Sequence, residues 1–162
     1  MKEVNDIKGS VSLCINTSEW RHMENKFRAH HIICTSLYEG KGYNNAFCEN
    51  MTSVVNRLRD NPDEELTLVA KPDLICTNCP NQTKSGKCSH NHNRVVNKDR
   101  RVMKFFGLKE NQIYTYREMC RHAREAMTTE FFMENCGKCN WRKRGLCKYE
   151  DLIAQLDHCI EK

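Results

Sequence analysis

Cys76-Thr77-Asn78-Cys79-Pro80, running on to Gly86-Lys87-Cys88, and Cys136-Gly137-Lys138-Cys139-Asn140, running on to Gly145-Leu146-Cys147, are two versions of one pattern. Each is a cysteine triplet with two residues between its first two thiols. Eight residues in the first copy and seven in the second precede the third thiol, which has a glycine two places ahead of it. A Cys-x-x-Cys pair sets two thiolates on one tight turn, whose backbone N–H groups can donate to sulfur. A third cysteine beyond a glycine-bearing loop folds back to the same centre. Three thiolates so arranged suit a metal, whereas a redox Cys-x-x-Cys motif would leave the third idle.

The rest of the composition bounds what can surround these loops. A chain of 162 residues, 39% hydrophobic, can fill one modest core and reads as a single domain. Charged residues make up 29%, the mean hydropathy is −0.76, and no apolar run approaches the roughly 18 to 20 residues of a membrane span. Met1 to Asp6 has no apolar stretch behind its charge, so the start is not a secretory signal, and a cytoplasmic location is expected. In a reducing compartment, 11 cysteines are metal ligands or catalytic groups before they are a disulfide framework. The formal charge of +5 is weak support for a nucleic-acid partner, because metal-bound thiolates would subtract from it.

Residues 1–25 read as a polar extension in which Val11, Leu13 and Ile15 alternate as a strand would; residues 26–162 form the cysteine-rich domain. A helix is expected from about His30, then a turn at Gly40-Lys41-Gly42-Tyr43. A second helix, capped by Asn44 or Asn45, carries Phe47, Met51, Val54 and Leu58. Glu65 to Ala70 alternates as a strand. Helices follow from about Arg94 to Phe106, closed by Gly107, from Thr115 with its capping-box Glu118, and from about Tyr149. On the Arg94 helix Val95, Val102, Phe105 and Phe106 should face inward and Lys98, Arg100, Arg101 and Lys104 outward. A short segment, Glu130 to Met133, leads into the second triplet. The expected fold class is mainly α with a minor β component (α+β), with perhaps two strands, in a small single domain built around cysteine-ligated metal sites.

Two triplets supply six thiolates, while two four-ligand centres need eight, so further ligands must come from elsewhere. Cys34 leads, with His30 and His31: on a helix, His30 and Cys34 are one turn apart and His31 and Cys34 nearly so, and could face one point. His90 and His92 are weaker candidates in a polar run. Cys48, Cys120 and Cys159 lie on apolar helix stripes and read as core, and Cys14 stays outside the site. Structural zinc favours two close cysteine pairs, or one pair with two histidines. Iron–sulfur clusters tolerate wider spacings, and spacing therefore favours iron–sulfur, expected as [4Fe-4S] with one or two clusters per chain, with zinc as the alternative. Arg142-Lys143-Arg144 beside Trp141 could balance an anionic cluster or form a docking patch, although a solvated basic face is the commoner outcome.

Arg28-Ala29-His30-His31-Ile32-Ile33-Cys34, then Gly40-Lys41-Gly42-Tyr43, then the two triplets in this order resemble the bacterial and archaeal family called domain of unknown function 1284, over about residues 26–150. The resemblance implies iron–sulfur binding and assigns no activity. By position it carries over His30, His31, Cys34, Cys76, Cys79, Cys88, Cys136, Cys139 and Cys147. Asn140, where the first triplet has Pro80, removes no ligand.

Three functions remain in competition. One is an iron–sulfur protein for electron transfer or redox sensing with a redox protein partner. A second is an enzyme with an open iron that takes a small-molecule substrate, His30 and His31 being the catalytic candidates. The third is a zinc-stabilised module that binds nucleic acid or an acidic protein, nucleic acid being the less favoured partner.

Overall fold

The computed structural model describes residues 25–89 and 91–162. Among these are three short strands and seven α-helices: β1 (Lys26–Arg28), α1 (His31–Ser36), α2 (Asn45–Asp60), β2 (Glu65–Val69), α3 (His92–Phe106), β3 (Ile113–Thr115), α4 (Tyr116–Ala126), α5 (Thr129–Cys136), α6 (Asn140–Lys143) and α7 (Tyr149–Glu161). The fold is the expected mainly helical α+β arrangement. Among the described residues no helix is long and apolar enough to cross a membrane.

The sheet has the order β1-β2-β3. β1 runs parallel to β2 with Phe27 opposite Leu68, and β3 runs antiparallel to β2 with Tyr114 opposite Leu66. A parallel pair needs a long crossover, and α1 with α2 supplies it. Leu66 and Leu68, both fully buried, give β2 the alternation that marks it in sequence. β1 and β3, each of 3 residues, are too short to show a period and were not expected. The strand anticipated at Val11 to Ile15 lies outside the described residues.

The helices start and stop where local chemistry dictates. Asn44 accepts from the Phe47 N–H to cap α2, and Thr115 with Glu118 forms the anticipated capping box of α4. Gly107, at φ +68°, ends α3. α7 packs along α4 and buries Leu152 and Leu156 against Met119, Cys120 and Ala123. Cys48, Cys120 and Cys159 pack in or against this core, as expected for small hydrophobes.

Two features of the helices differ from expectation. The segment at Glu130 to Met133 is part of a full helix, α5, that runs on to Cys136 itself, with Thr128 capping it. On α3 Val102 and Phe106 are buried as expected, but Asp99 and Met103 complete the buried stripe in place of Val95 and Phe105. Phe105 is 39% exposed and stacks on Phe131 at 3.8 Å, while Lys98 is half-buried instead of outward. The phase was misjudged because a carboxylate, Asp99, holds a core position.

Candidate metal centre

The first triplet lies on a loop built like a metal knuckle. Cys76 to Asn78 makes one 3₁₀ turn closed by Cys79 N–H donating to Cys76 O at 3.0 Å. Gln82 then bridges to Cys88 across a hairpin, which returns the third cysteine to the first two. The Asn81 and Gln82 N–H groups are aimed at the Cys79 sulfur and oppose the upward push that burial gives its pKa. In the second triplet Cys136 ends α5, Cys139 opens α6, and the Cys139 N–H donates to Cys136 O at 2.9 Å, repeating the turn. Asn135 Nδ2 approaches the Cys136 sulfur at 3.6 Å.

Cys34 on α1 lies within electrostatic reach of Cys136, Cys139 and Cys147. Burial raises its pKa well above that of a free thiol, and these three neighbours add to the rise while Lys98 opposes it. Cys34 and Cys147 also line one small cavity with Leu37, Tyr38, Trp141 and Leu146. Cys147 is pushed up to about 11, by burial first and then by Cys139 and Cys136. Cys34 of α1 is thereby placed on one cavity with Cys147 and within electrostatic reach of Cys136 and Cys139.

The two histidines each pair with a buried carboxylate. His31 donates from Nδ1 to Asp73 Oδ2 at 2.8 Å, and ligand atoms of His31, Asp73 and Cys76 all lie within 4.8 Å of one another. Asp73 is completely buried and accepts four hydrogen bonds: Arg28 N–H and His31 on Oδ2, Ile75 N–H and Cys76 N–H on Oδ1. Burial alone would raise its pKa; His31 and these donors hold it below the usual carboxylate range. His30 turns to Asp99, with Nδ1 to Oδ1 at 2.7 Å, and the two imidazole rings are 4.3 Å apart. Both are carboxylate-backed histidines, the arrangement that fixes a tautomer and leaves Nε2 with its lone pair. Burial first, then His31, lowers the His30 pKa to about 4, so it is neutral at pH 7.

Arg28, Asp73 and Asp99 were missed by sequence reading, although Asp99 had a signal, as the one acid in Lys98-Asp99-Arg100-Arg101. Arg28 is 99% buried, and its Nε donates to Asp99 Oδ2 at 2.8 Å. Its Nη2 lies 2.7 Å from the same oxygen, misaligned, and has no hydrogen-bond partner. The same guanidinium faces the Cys76 sulfur. Arg142 plays the corresponding part in the second triplet: half-buried, near Cys136 and Cys147, with a buried Nε that has no partner. A buried donor without a partner beside thiols, as the Arg142 Nε is, is what an anionic metal–thiolate group would satisfy, and the donor set fits such a group.

His90 lies outside the described residues, as does Cys14; His92 opens α3. Tyr43 stands between the two triplets. Its ring packs on Phe47 at 5.0 Å and Trp141 at 5.4 Å. Its hydroxyl is pushed up to about 12 by burial and then by Cys79, Cys34, Cys139 and Cys88 around it.

A small α+β protein with two cysteine loops and a histidine–aspartate–cysteine group belongs to the class of cysteine-rich proteins with a plausible metal cofactor. The chain is a member of the family described as Protein of unknown function (DUF1284), whose model matches residues 42–158. That span holds both triplets, whereas Arg28 to Cys34 precede it, so the parts of His30, His31 and Cys34 rest on geometry. No curated protein and no solved structure gives a significant match.

Proposed function

We propose that the protein is an iron–sulfur redox protein with two thiolate centres of different character. The closed centre takes Cys34, Cys136, Cys139 and Cys147. The other takes Cys76, Cys79 and Cys88, with His31 as the fourth, more readily replaced donor. The observation that carries this reading is the division of α1: Cys34 lines one cavity with Cys147 of the second triplet, and His31 stands with Asp73 beside Cys76 of the first. The Arg28 guanidinium facing Cys76 and the partnerless Arg142 Nε near Cys136 and Cys147 support anionic groups at both places.

Iron is favoured over zinc by spacing. Eight and seven residues separate the second and third thiols of the two triplets, a wider gap than the close pairs of structural zinc sites. A zinc tetrahedron with bonds of ~2.3 Å would draw its sulfurs to within ~3.8 Å. A cluster core several ångström across accommodates a wider set.

When bound, the clusters supply one-electron chemistry and, at a replaceable ligand, a Lewis-acidic iron. The chain's part is to bind and orient. Asp73 fixes His31 and the Cys76 turn together, Asp99 fixes His30 next to it, and Arg28 and Arg142 hold positive charge against the thiolates. Burial keeps Cys34 and Cys76 as thiols until a metal displaces their protons.

Anaerobic purification followed by iron, acid-labile sulfide and zinc analysis tests this. A brown protein with iron and sulfide is expected. A colourless protein with stoichiometric zinc and no sulfide would return the chain to the zinc-module reading.

A further inference from the structure

The cations of this chain are unevenly placed. The loops Cys76–Cys88 and Cys136–Cys147, together with Gly40 to Tyr43, hold Lys41, Lys84, Lys87, Lys138, Arg142, Lys143 and Arg144 and no acidic residue. The remainder of the chain has 19 basic against 21 acidic side chains, so the formal positive surplus sits in these three segments, where metal-bound thiolates beneath the exposed cations would offset part of it. Six of the seven cations are exposed, Arg142 being the exception. At the junction of the loops is Tyr43, 53% exposed, its ring resting on Trp141 and Phe47.

We propose that these three segments together form the docking surface for an acidic electron-carrier protein, with Tyr43 and Trp141 at its centre and the lysines and arginines of the cysteine loops as its rim. The proposal rests on the redox reading above. Aromatic residues at the middle of a patch and charge at its edge are the anatomy of a transient protein interface. Complementary charge there raises the encounter rate and orients the partner. The placement also suits the chemistry, because Tyr43 packs on Trp141, which lines the cavity that holds Cys34 and Cys147. One electron passes from the reduced carrier to a centre: the carrier is oxidised by one electron, the centre is reduced by one, and no bond or proton needs to move. Nucleic acid is the weaker occupant. Single-stranded binders string several stacking rings along a groove, whereas here one half-exposed ring is already packed on its neighbours.

The test uses the anaerobically purified full chain with a fluorescently labelled acidic flavodoxin, and a short DNA duplex as the rival ligand. The double variant Lys143→Glu/Arg144→Glu reverses two exposed rim charges. Lys109→Glu, on the turn after α3, is the control. Wild type and Lys109→Glu should bind the flavodoxin alike and lose affinity as salt rises. The double variant should bind at least about tenfold more weakly, and its reduction by flavodoxin hydroquinone should slow to match, while photoreduction by a neutral small molecule is unchanged. Equal binding by the double variant overturns the proposal, and so does tighter binding of the duplex with the same sensitivity to the two reversals. Iron analysis separates the two readings. Binding retained by a chain without iron supports the acidic-partner surface and overturns the redox function. A brown, iron-loaded protein that ignores the flavodoxin overturns the surface alone.

Discussion

His31 and Cys34 stand three residues apart on α1, yet His31 pairs with Asp73 beside Cys76 while Cys34 lines a cavity with Cys147. Three residues turn an α-helix by about 300°, so the two side chains leave it about 60° apart. On a helix lodged between two loops that angle is enough to reach different centres. Cys34→Ala should therefore lose the iron of the second-triplet centre and keep the first. Iron per chain and the electron paramagnetic resonance spectrum of the reduced variant measure this. Retention of every wild-type signal would return Cys34 to the core.

The buried charges make a second prediction. Arg28 and Asp99 are paired at 2.7 to 2.8 Å with almost no exposure of either side chain. Removing one partner strands the other, at a cost of about 3 to 5 kcal/mol, whereas replacing both with apolar groups costs less. Asp99→Asn should lower the urea midpoint sharply, and Arg28→Met/Asp99→Leu should lower it less. Equal losses would mean that the pair is not coupled.

The pH dependence has two separate windows. The His30 pKa, lowered to about 4 by burial and then by His31, sits below the ordinary histidine value. As pH falls through about 6.5 the unfolded chain takes up a proton that the folded chain refuses, so this contribution is whole above 6.5 and is lost progressively down to about 4. The loss is about 3 kcal/mol at most. Asp99 works against a burial penalty, and His30 and Arg28 hold it at about 2; its contribution is whole above the unfolded carboxylate value and is lost as pH falls toward 2. Thermal unfolding at pH 7, 6 and 5, with iron assayed at each pH, should show a decline in wild type that His30→Gln flattens. An equal decline in the variant would remove His30 as its cause.

What was legible in the sequence was what repeats or caps. The doubled triplets, the Asn44 cap, the Thr115–Glu118 box and the Gly107 stop are local signals, and each corresponds to a feature of the fold. The convergence of Cys34 with a triplet follows from tertiary packing, and only its candidacy could be read. The pairing of His30 and His31 with carboxylates was invisible, because Asp73 and Asp99 lie 42 and 69 residues from their histidines. A lone acid on a basic helix looked solvated, which also shifted the expected phase of α3 and sent Phe105 to the wrong side.

Gly42 is required by close approach. A Cβ there would come within 2.5 Å of the Phe47 ring and 3.1 Å of the Cys48 sulfur. Gly42→Ala must push Phe47 or Tyr43 aside and should cost about 1 to 3 kcal/mol, as overpacking does. Trp141 rests on both rings, so its fluorescence should report the shift. A variant with wild-type stability and emission would show that the turn relaxes freely.

Asp73 decides whether the first-triplet centre is held as proposed. Its Oδ1 gathers the N–H groups of Ile75 and Cys76 at 3.0 and 3.2 Å, and its Oδ2 gathers the Arg28 N–H and His31 Nδ1 at 2.7 and 2.8 Å. One carboxylate thus sets the turn that presents Cys76 and the tautomer that frees His31 Nε2. Asn at this position keeps the shape and one acceptor oxygen but places an NH₂ group against two of those donors. Loss of such an orienting partner typically lowers metal affinity 10- to 100-fold. Asp73→Asn should therefore release first-triplet iron to a chelator at least about tenfold faster than wild type does, and spare the signal that Cys34→Ala removes. His31→Ala should alter the spectrum of the same centre with less loss of iron, since water can replace a neutral imidazole more easily than a thiolate. If Asp73→Asn and Cys34→Ala erased the same signal, the two triplets would share one centre, and the division of α1 between two sites would be wrong.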